Sequence, residues 1–579
     1  MIRDPVHGYV EVPAELDALV RCAAVQRLRN IGQNARAVAG FPSMTGTRYE
    51  HALGTMHLAL AAWRSCWQNT VAPEGADRVR TQDDFKRAVL AGVSASPTAD
   101  ACSAAWIAGD AQESMLWSDF ERRIGLVVGA VGLLHDVGHP PFSHVLEPFY
   151  GSRVTEIFGA QAQDEFDAYR QASAKPVQFH EWAGLRIFDS IPDDVFAALP
   201  RSLIRLVLAD RTGRGWAHSL HSIVDGQFDV DRLDYLMRDA YTAGTEYGSI
   251  DSARLLQSLE LHRAGPDNWI VGLGARAVSS FETLVIQRAQ HYRWVVHHYA
   301  VVAACTALER CASQLYELSR TSDGVEGMTL FDTVPNLDYI AVSRGEGGAK
   351  GEPCADDHDC FAWLRGARPA LEVLARPEHS EPSRDARSTL ALLDTFDTFS
   401  ISPIPAWRNY QEYLARADQN PEAVRRLLAA AVPTTPPAYL RSQASRQAVD
   451  VLATELPARL NSGLGAVLSR WGDDHDLSAA ERLLADQVPV VPECGEGCWL
   501  VTTMPFLALH DDFAGIWRGD EQALLSDVSP YPLALAAIDL MRPRFHIFFV
   551  PFEGPRREAT TRQRRAVGRA FLETVAGWA

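Results

Sequence analysis

Three histidines and an aspartate lie within ten residues of one another in the stretch GLLHDVGHPPFSH, residues 132–144, which follows the apolar run LVVGAV. A polar or charged side chain that is buried without a partner costs several kcal/mol. The His135-Asp136 doublet at the end of an apolar helix therefore needs a group that offsets its desolvation. A bound metal ion is such a group, and the stretch predicts metal chemistry.

Three other segments carry side chains of the same kinds. RYEH (48–51) opens the helical segment EHALGTMHLALAAW, HE (180–181) begins HEWAGLRIF, and FDVDRLDYLMRDA supplies four aspartates. Two histidines and two aspartates would give a metal ion four ligands and leave positions open for water and substrate. Such an ion lowers the pKa of bound water and polarises a phosphoryl oxygen, which is the chemistry of hydrolysis.

Helices must position these side chains. Apolar residues recur at three- and four-residue spacing, among strong helix formers, in 52–67, 121–135, 180–190, 252–262, 276–318 and 421–431. We therefore predict a mainly α-helical protein.

The chain also shows changes of composition that indicate its organisation. The segment from Pro73 to Ser118 is polar and broken by small residues, which indicates an insertion at about 68–120 or a mobile lid. The Gly- and acid-rich stretch 321–360 predicts a linker between a catalytic domain, 1–320, and a C-terminal region, 361–579. Alternating apolar residues in VPVVPECGEGCWLVTTMPFLAL and RPRFHIFFVPFEG predict a small β element there, before a basic helix.

The bulk composition excludes several classes of protein. The formal net charge of −18 disfavours nucleic acid and anionic membranes as partners of the whole chain. No run of eighteen apolar residues occurs, and the N-terminal sequence lacks the apolar stretch of a signal peptide, so we expect a cytoplasmic protein. Nine scattered cysteines in 579 residues do not suggest a disulfide framework.

The ordered motifs resemble a known family. RYEHALG, LLHDVGHPPFSH and an aspartate in DVDRLDYLMRDA resemble the HD superfamily of metal-dependent phosphohydrolases, and IRDPVHGYVEV, VQRLRNIGQ and FHEWAG resemble its deoxynucleoside triphosphate triphosphohydrolase branch, over roughly residues 1–318. The resemblance implies an all-helical catalytic core that hydrolyses a dNTP at the α-phosphate, giving deoxynucleoside and triphosphate. It also implies a divalent ion (Mn, Fe, Mg, Zn, Ni or Co) held by His51, His135, Asp136 and Asp231.

The same resemblance implies roles for further residues. Catalytic help would come from His139, His144 and His180. Phosphate contacts would come from Arg48, Arg232 and Arg288, and contacts to the sugar from Tyr235, Asp239 and Gln33. An activating nucleotide between the subunits of a homo-oligomer would be bound by Asp4, Gln26 and Arg29. The long insertion, and Val296 where the vertebrate enzyme has an aromatic residue, leave the base preference open.

Other interpretations of these residues and of the function stay open. The chain could catalyse another HD reaction, as a phosphomonoesterase or cyclic-nucleotide phosphodiesterase, or could be a nucleotide sensor without turnover that acts on a protein partner. His139 and His144 could orient a metal ligand instead of reacting. Ordinary structural roles are expected for His57, His297 and His298, as core histidines, and for Asp229 and Asp234, as solvated or helix-capping residues. Cys354, Cys360, Cys494 and Cys498 lack zinc-site spacing, and we expect free thiols.

Overall fold

The structure is a computed structural model, and it describes residues 1–73, 77–95, 106, 117–173, 176–265, 267–321, 337–340, 355–376, 382–397, 402–431, 456–471, 477–504, 516–518, 521–553 and 559–579. The described chain is mainly α-helical, as predicted. Much of the predicted insertion, residues 96–105 and 107–116, lies outside the described residues, as does most of the predicted linker. The predicted domain boundaries stay predictions.

The first part of the chain contains the helices that carry the candidate site. They are Asp17–Arg21, Ala23–Arg27, Arg48–Gln68, Arg78–Ala95, Trp117–Leu134, Glu147–Gly151, Val154–Phe158, Ala160–Ala172, Phe179–Ser190, Arg201–Leu208, Gly215–His221, Val230–Ala243, Ser252–Gln257, Val278–His291 and Tyr299–Thr321. A π-helical turn, Tyr292–Val296, separates the last two.

Helices continue after residue 321. They are Asp357–Gly366, Arg368–Leu374, Pro382–Phe396, Tyr410–Gln419, Pro421–Ala430, Leu456–Leu468, Ser478–Gln487, Leu525–Val528, Tyr531–Met541 and Thr561–Gly577. The last of these is the predicted basic helix, and it buries Val567, Phe571 and Val575 on its inner face.

Strands within residues 1–320 correct the expectation of an all-helical catalytic core. Ile2–Asp4 and Gly8–Val10 form an antiparallel hairpin. Leu259–Arg263 pairs antiparallel with Trp269–Gly274, so the helix predicted over 252–262 ends at Gln257. Helix-like spacing in LLQSLEL is overridden here because the chain turns back and supplies a strand partner.

The strand Trp269–Gly274 continues into the C-terminal part of the chain. It pairs in parallel with Ile516–Arg518, which in turn pairs with Glu521–Ala523. Strands from the two halves of the sequence thus share one sheet.

The predicted C-terminal β element is a second sheet of four strands, ordered Ile404–Pro405, Phe545–Pro551, Gly495–Thr503 and Val490–Val491. The two long strands pair antiparallel, with Phe548 opposite Leu500. One face packs on the last helix through Trp499, Phe549 and Phe571.

Two large hydrophobic clusters and one small one hold the described elements together. The largest joins the helices of the first 321 residues to the helices between residues 357 and 396 and to one face of the C-terminal sheet, while the second packs against the other face of that sheet. The helices Arg48–Gln68 and Trp117–Leu134 pack closely along their length, and Gly132 lies close to the backbone at Thr55 and Met56. This pair brings the segments of His51 and His135 together. Among the described residues, no helix combines the length and the apolar character needed to cross a bilayer.

Candidate metal centre

His51 is placed by the first turn of the helix Arg48–Gln68. Thr47 and Glu50 form a reciprocal capping box that fixes where this helix begins. The His51 side chain is fully buried, and its Nδ1 lies 2.7 Å from Oδ2 of Asp234. This contact holds the ring so that Nε2 points to the other side, toward the predicted ligands.

His135 and Asp136 follow the apolar helix Trp117–Leu134. Nδ1 of His135 lies 2.8 Å from the carbonyl oxygen of Gly132, which again leaves Nε2 to face the site. Asp136 is buried, with Oδ1 3.4 Å from Nε2 of His135 and Oδ2 3.6 Å from Nε2 of His51. The doublet and the distant histidine therefore converge, as predicted from the motif.

Asp231 completes the set from the first turn of the helix Val230–Ala243, whose N-cap is Asp229. Its Oδ1 lies 2.8 Å from Nε2 of His51 and 3.7 Å from Nε2 of His135. One ligand atom from each of these three residues lies within 4.8 Å of the other two.

The donor atoms fit a divalent cation. Within the part of the chain that the structure describes, Nε2 of His51 and Nε2 of His135 are buried and make no hydrogen bond of regular geometry, although Oδ1 of Asp231 lies 2.8 Å from the first and 3.7 Å from the second. A buried polar atom of this kind is costly unless something binds it. Burial alone would lower the pKa of His51, but the Asp231 and Asp234 carboxylates raise it to about 10, so the site attracts positive charge. Imidazole and carboxylate together suit first-row transition ions.

The three predicted catalytic histidines form a second cluster around one carboxylate. Oε1 of Glu147 lies 3.3 Å from Nδ1 of His139, 2.7 Å from Nδ1 of His144 and 2.9 Å from Nδ1 of His180. The rings of His139 and His180 stack with their centroids 3.9 Å apart. Sequence reasoning missed Glu147, although its position three residues after His144 on a helical turn was a usable signal.

The cluster differs in charge from one histidine to the next. Burial and the nearby Arg48 guanidinium lower the pKa of His139 to about 3, so this ring is neutral. Burial opposes protonation of His180 as well, but the Glu147 carboxylate outweighs it and raises the pKa of His180. The neutral His139 ring therefore lies face to face with the His180 ring, whose protonated form Glu147 favours.

The predicted phosphate-binding arginines are placed around the same region. Arg48 is buried, and it donates from Nη1 to Oδ2 of Asp136 at 2.5 Å and from Nε to Oγ of Ser143 at 2.7 Å. Arg232 pairs with Asp229 at 2.9 Å and donates to backbone carbonyls at residues 226 and 227. Arg288 lies in the last turn of the helix Val278–His291, with its guanidinium 5.5 Å from the ring centroid of Tyr292.

The residues predicted to face a sugar lie on neighbouring elements. Asp239 accepts a hydrogen bond from Nδ2 of Asn34 at 2.6 Å, and burial raises its pKa to about 7. The ring of Tyr235 lies 5.6 Å from that of His291. Oε1 of Gln33 is buried and, among the described residues, has no hydrogen-bond partner. Buried oxygens of this kind need a ligand or water to satisfy them.

Two of the three residues predicted to bind an activator contact each other, and the third is held by other partners. Nε of Arg29 donates to Oε1 of Gln26 at 2.8 Å near the surface. Asp4 is buried, and its carboxylate is occupied by Arg238 at 2.9 Å and by the backbone N–H groups of Val6 and His7. These contacts give Asp4 a structural role in the N-terminal hairpin.

The expectation for Asp234 was wrong. Asp234 is neither solvated nor a cap: it is fully buried, and it pairs with Arg238, His51 and Nε2 of His7. Asp229, in contrast, caps its helix as predicted. His297 and His298 are at most partly exposed. Cys360, Cys494 and Cys498 are free thiols, as expected, while Cys354 lies outside the described residues.

The sequence is similar to those of several proteins from distant organisms. No family model matches the sequence. An uncharacterised protein from Methanocaldococcus jannaschii is 25% identical over 59% of this chain and 55% of its own length. Deoxynucleoside triphosphate triphosphohydrolase SAMHD1 from Gallus gallus is 22% identical over 60% of this chain and 52% of its own length. The SAMHD1 homologue from Dictyostelium discoideum is 26% identical over 42% of this chain and 36% of its own.

Two of these three relatives are named as deoxynucleoside triphosphate triphosphohydrolases. The chain spans about half the length of the curated relatives that it matches. A crystal structure of a phosphohydrolase from Bacteroides thetaiotaomicron shares the fold, with a TM-score of 0.50 at 17% identity over 95% of this chain and 98% of that one.

Proposed function

We propose that this chain hydrolyses deoxynucleoside triphosphates to deoxynucleoside and inorganic triphosphate, using one divalent metal ion. The observation that carries the proposal is the convergence of His51, His135, Asp136 and Asp231, which come from three separate helical segments. Distant relatives named as dNTP triphosphohydrolases support the choice of substrate.

The metal ion would be held by these four residues. When bound, it would lower the pKa of a water molecule and polarise the α-phosphoryl oxygen. The bonds from Nδ1 of His51 to Asp234 and from Nδ1 of His135 to the Gly132 carbonyl keep both Nε2 atoms directed at one point.

The second cluster has the properties needed to manage the leaving group. Attack of water on the α-phosphorus breaks the bond to the 5′-oxygen, and that oxygen must gain a proton to leave as a hydroxyl group. Burial opposes protonation of His180, but the Glu147 carboxylate outweighs it and raises the pKa, which favours the protonated ring, so we assign His180 as the proton donor. His139 is buried and neutral between His180 and Asp136, where it can orient the reacting oxygen.

Binding of the triphosphate requires local positive charge in an acidic chain. Arg48, Arg232 and Arg288 would supply it, since a guanidinium can donate two parallel hydrogen bonds to a phosphate. Arg48 and Arg232 are held by the carboxylates of Asp136 and Asp229, which orient them before the substrate arrives. The buried oxygen of Gln33 and the carboxyl group of Asp239 are suited to accept bonds from the sugar hydroxyl.

We further propose that the enzyme is a homo-oligomer activated by a nucleotide near Gln26 and Arg29. Arg29 stacks its guanidinium 3.7 Å from the ring centroid of Tyr49, two residues before His51, so a ligand held by Arg29 would lie close to the metal-binding helix. Size-exclusion chromatography with and without each nucleotide tests this proposal, and an unchanged elution volume and turnover with every nucleotide would contradict it.

Product analysis tests the main proposal. Purified protein with Mn²⁺ is incubated with each dNTP singly and with all four together, and the products are separated by ion-exchange chromatography. We expect deoxynucleoside and triphosphate in equal amounts. Release of monophosphate or of a linear nucleotide from other substrates would favour a different HD reaction, and nucleotide-dependent assembly without turnover would favour a sensor.

A matched pair of variants ties the activity to the metal centre. Asp231→Asn removes one ligand, and we expect loss of both turnover and Mn²⁺ binding. Asp225→Asn removes a carboxylate from the preceding loop, where it contacts His221, and both properties should persist. Full turnover in Asp231→Asn would refute the assignment.

A further inference from the structure

Three consecutive residues from beyond residue 321 contact loops that border the metal centre. The carbonyl oxygen of Ala355 accepts a hydrogen bond from Nε of Arg27 at 2.7 Å. Oδ2 of Asp356 accepts one from Nδ2 of Asn30 at 2.9 Å. Asp357 follows directly and begins the helix Asp357–Gly366.

Asp357 joins two separate loops through their backbones. Its Oδ1 accepts the N–H of Phe142 at 2.6 Å, and its Oδ2 accepts the N–H of Gly32 at 2.9 Å. A Cβ on Gly32 would lie 3.3 Å from Oδ2, so the carboxylate occupies the space that a side chain would need. Gly32 immediately precedes Gln33, and Phe142 begins the turn that carries His144.

The Phe142 turn is conformationally costly and needs such support. Phe142 and Ser143 both have φ angles of 57°, in the left-handed region that residues other than glycine rarely adopt. Oγ of Ser143 accepts the hydrogen bond from Nε of Arg48. Relaxation of this turn would therefore move both the partner of Arg48 and the adjacent His144.

The preceding loop is held by the same part of the chain. The hydroxyl group of Tyr339 donates to the carbonyl oxygen of Gly138 at 2.7 Å. Arg27 stacks over the Tyr339 ring and donates to the carbonyl oxygens of Val137 and His139, at 3.2 and 2.5 Å. The loop from the metal ligands to the histidine cluster thus depends on contacts from outside the metal-binding helices.

We propose that Asp357 is a positioning residue of the active site, which fixes the Phe142–Ser143 turn relative to the Gln33 loop without touching the substrate. This inference rests on the proposed phosphohydrolase function for its kinetic consequence. Its structural content, that one carboxylate holds two loops, can be measured separately.

Two substitutions remove the acceptor oxygens in steps. Asp357→Asn keeps one acceptor oxygen, and Asp357→Ala keeps none. Leaving a backbone donor without its acceptor typically changes an equilibrium by about tenfold, so we expect kcat to fall about 10-fold in the first variant and about 100-fold in the second. Mn²⁺ affinity should stay within about threefold, because Asp357 contacts none of the four proposed metal ligands in the described structure.

Asp397→Ala serves as the control. Asp397 pairs with Arg365 and Arg368 within the same region, so its loss perturbs that region without touching either loop. We expect near-normal kcat even where the thermal midpoint falls as far as in Asp357→Ala. Equal loss of kcat in the two variants at equal loss of thermal stability would overturn the inference.

Hydrogen exchange followed by mass spectrometry tests whether Asp357 holds the two loops, and it needs no measurement of enzymatic activity. Fragments containing Phe142 and Gly32 should exchange at least tenfold faster in Asp357→Ala than in Asp397→Ala. Unchanged exchange in both fragments would overturn the inference. If the wild-type protein hydrolyses no dNTP, the proposed function fails, and the exchange result alone then upholds or overturns the role of Asp357.

Discussion

Asp234→Asn tests whether the metal ligands depend on the charges behind them. The Asp234 carboxylate is fully buried and contacts Nδ1 of His51 at 2.7 Å, Nε2 of His7 at 2.6 Å, and both Nε and Nη2 of Arg238, at 2.9 and 2.8 Å. Asparagine preserves the size of this side chain but removes its charge. The substitution therefore isolates the electrostatic contribution.

Two effects of different size are expected. Breaking a buried ion pair by removing one partner costs about 3–5 kcal/mol, and we expect the lower end because Arg238 keeps its bond to Asp4. Loss of a group that orients a metal-binding histidine weakens metal affinity by about 10–100-fold. That range corresponds to about 1.4–2.8 kcal/mol of binding free energy.

The assay separates these effects. Free Mn²⁺ is measured by electron paramagnetic resonance during titration, and thermal unfolding is followed on metal-free protein. Asp210→Asn is the control, since Asp210 is also buried and bonded, to Thr212 and His218, but lies outside the metal centre. If Asp234→Asn loses stability as the control does while binding Mn²⁺ within twofold of wild type, the orienting role is refuted.

Three further predictions follow from particular contacts. Gly138→Ala places a Cβ against the carbonyl oxygen of His180 and the backbone of Gly184, so the loop that follows Asp136 must shift, and we expect Mn²⁺ affinity to fall at least tenfold. The control is Gly366→Ala, whose Cβ meets open space and which should bind Mn²⁺ normally in the same titration. Mn²⁺ at 100 times its dissociation constant should stabilise the folded protein by about 2.7 kcal/mol, which raises the thermal midpoint until EDTA is added. An unchanged thermal midpoint in a protein that hydrolyses dNTPs would contradict the assigned centre. Burial lowers the pKa of His546 to about 4, whereas an unfolded histidine has a pKa of about 6.5. The free energy of unfolding should therefore fall as the pH is lowered from about 6.5 toward 4. His546→Gln should flatten this pH dependence when thermal unfolding is measured.

The convergence of His51, His135, Asp136 and Asp231 could be predicted from sequence because each proposed ligand lies in a local motif. His135 and Asp136 end an apolar helical run, and Asp231 follows the cap residue Asp229, so their types and order were informative before any contact was known. The structure then brings them together with His51. The local motifs did not indicate which buried side chains orient these residues, such as Asp234 against His51.

Asp234 illustrates a signal that was present but misread. Asp234 is expected from sequence to be solvated or to cap a helix, yet Asp231, Asp234 and Arg238 follow helical spacing and therefore share a face. A face that carries a metal ligand points inward, and the arginine one turn after Asp234 is its natural partner. The spacing thus distinguished a buried ion pair from a solvated face.

Contacts between distant segments explain the remaining misses. Asp357 is separated by 215 positions from Phe142 and by 325 from Gly32, and no local pattern indicates which backbone groups a carboxylate will accept from. The strand Leu259–Arg263 was likewise read as helix because its partner strand begins only at Trp269. In both cases the deciding interaction is tertiary, so propensity and spacing could not reveal it.

Asp136 connects the two clusters, because a histidine of each lies against its carboxylate. Its Oδ1 lies 3.4 Å from Nε2 of His135 and 3.2 Å from Nε2 of His139, while Oδ2 accepts from Arg48. Arg48 holds the pKa of Asp136 well below its ordinary value, and burial together with Arg48 lowers the pKa of His139, so the carboxylate is ionised and the neighbouring imidazole is neutral. The candidate metal ligand Asp136 and the histidine cluster around Glu147 therefore share one cation, and a substitution at Arg48 would alter both even though Arg48 belongs to neither group.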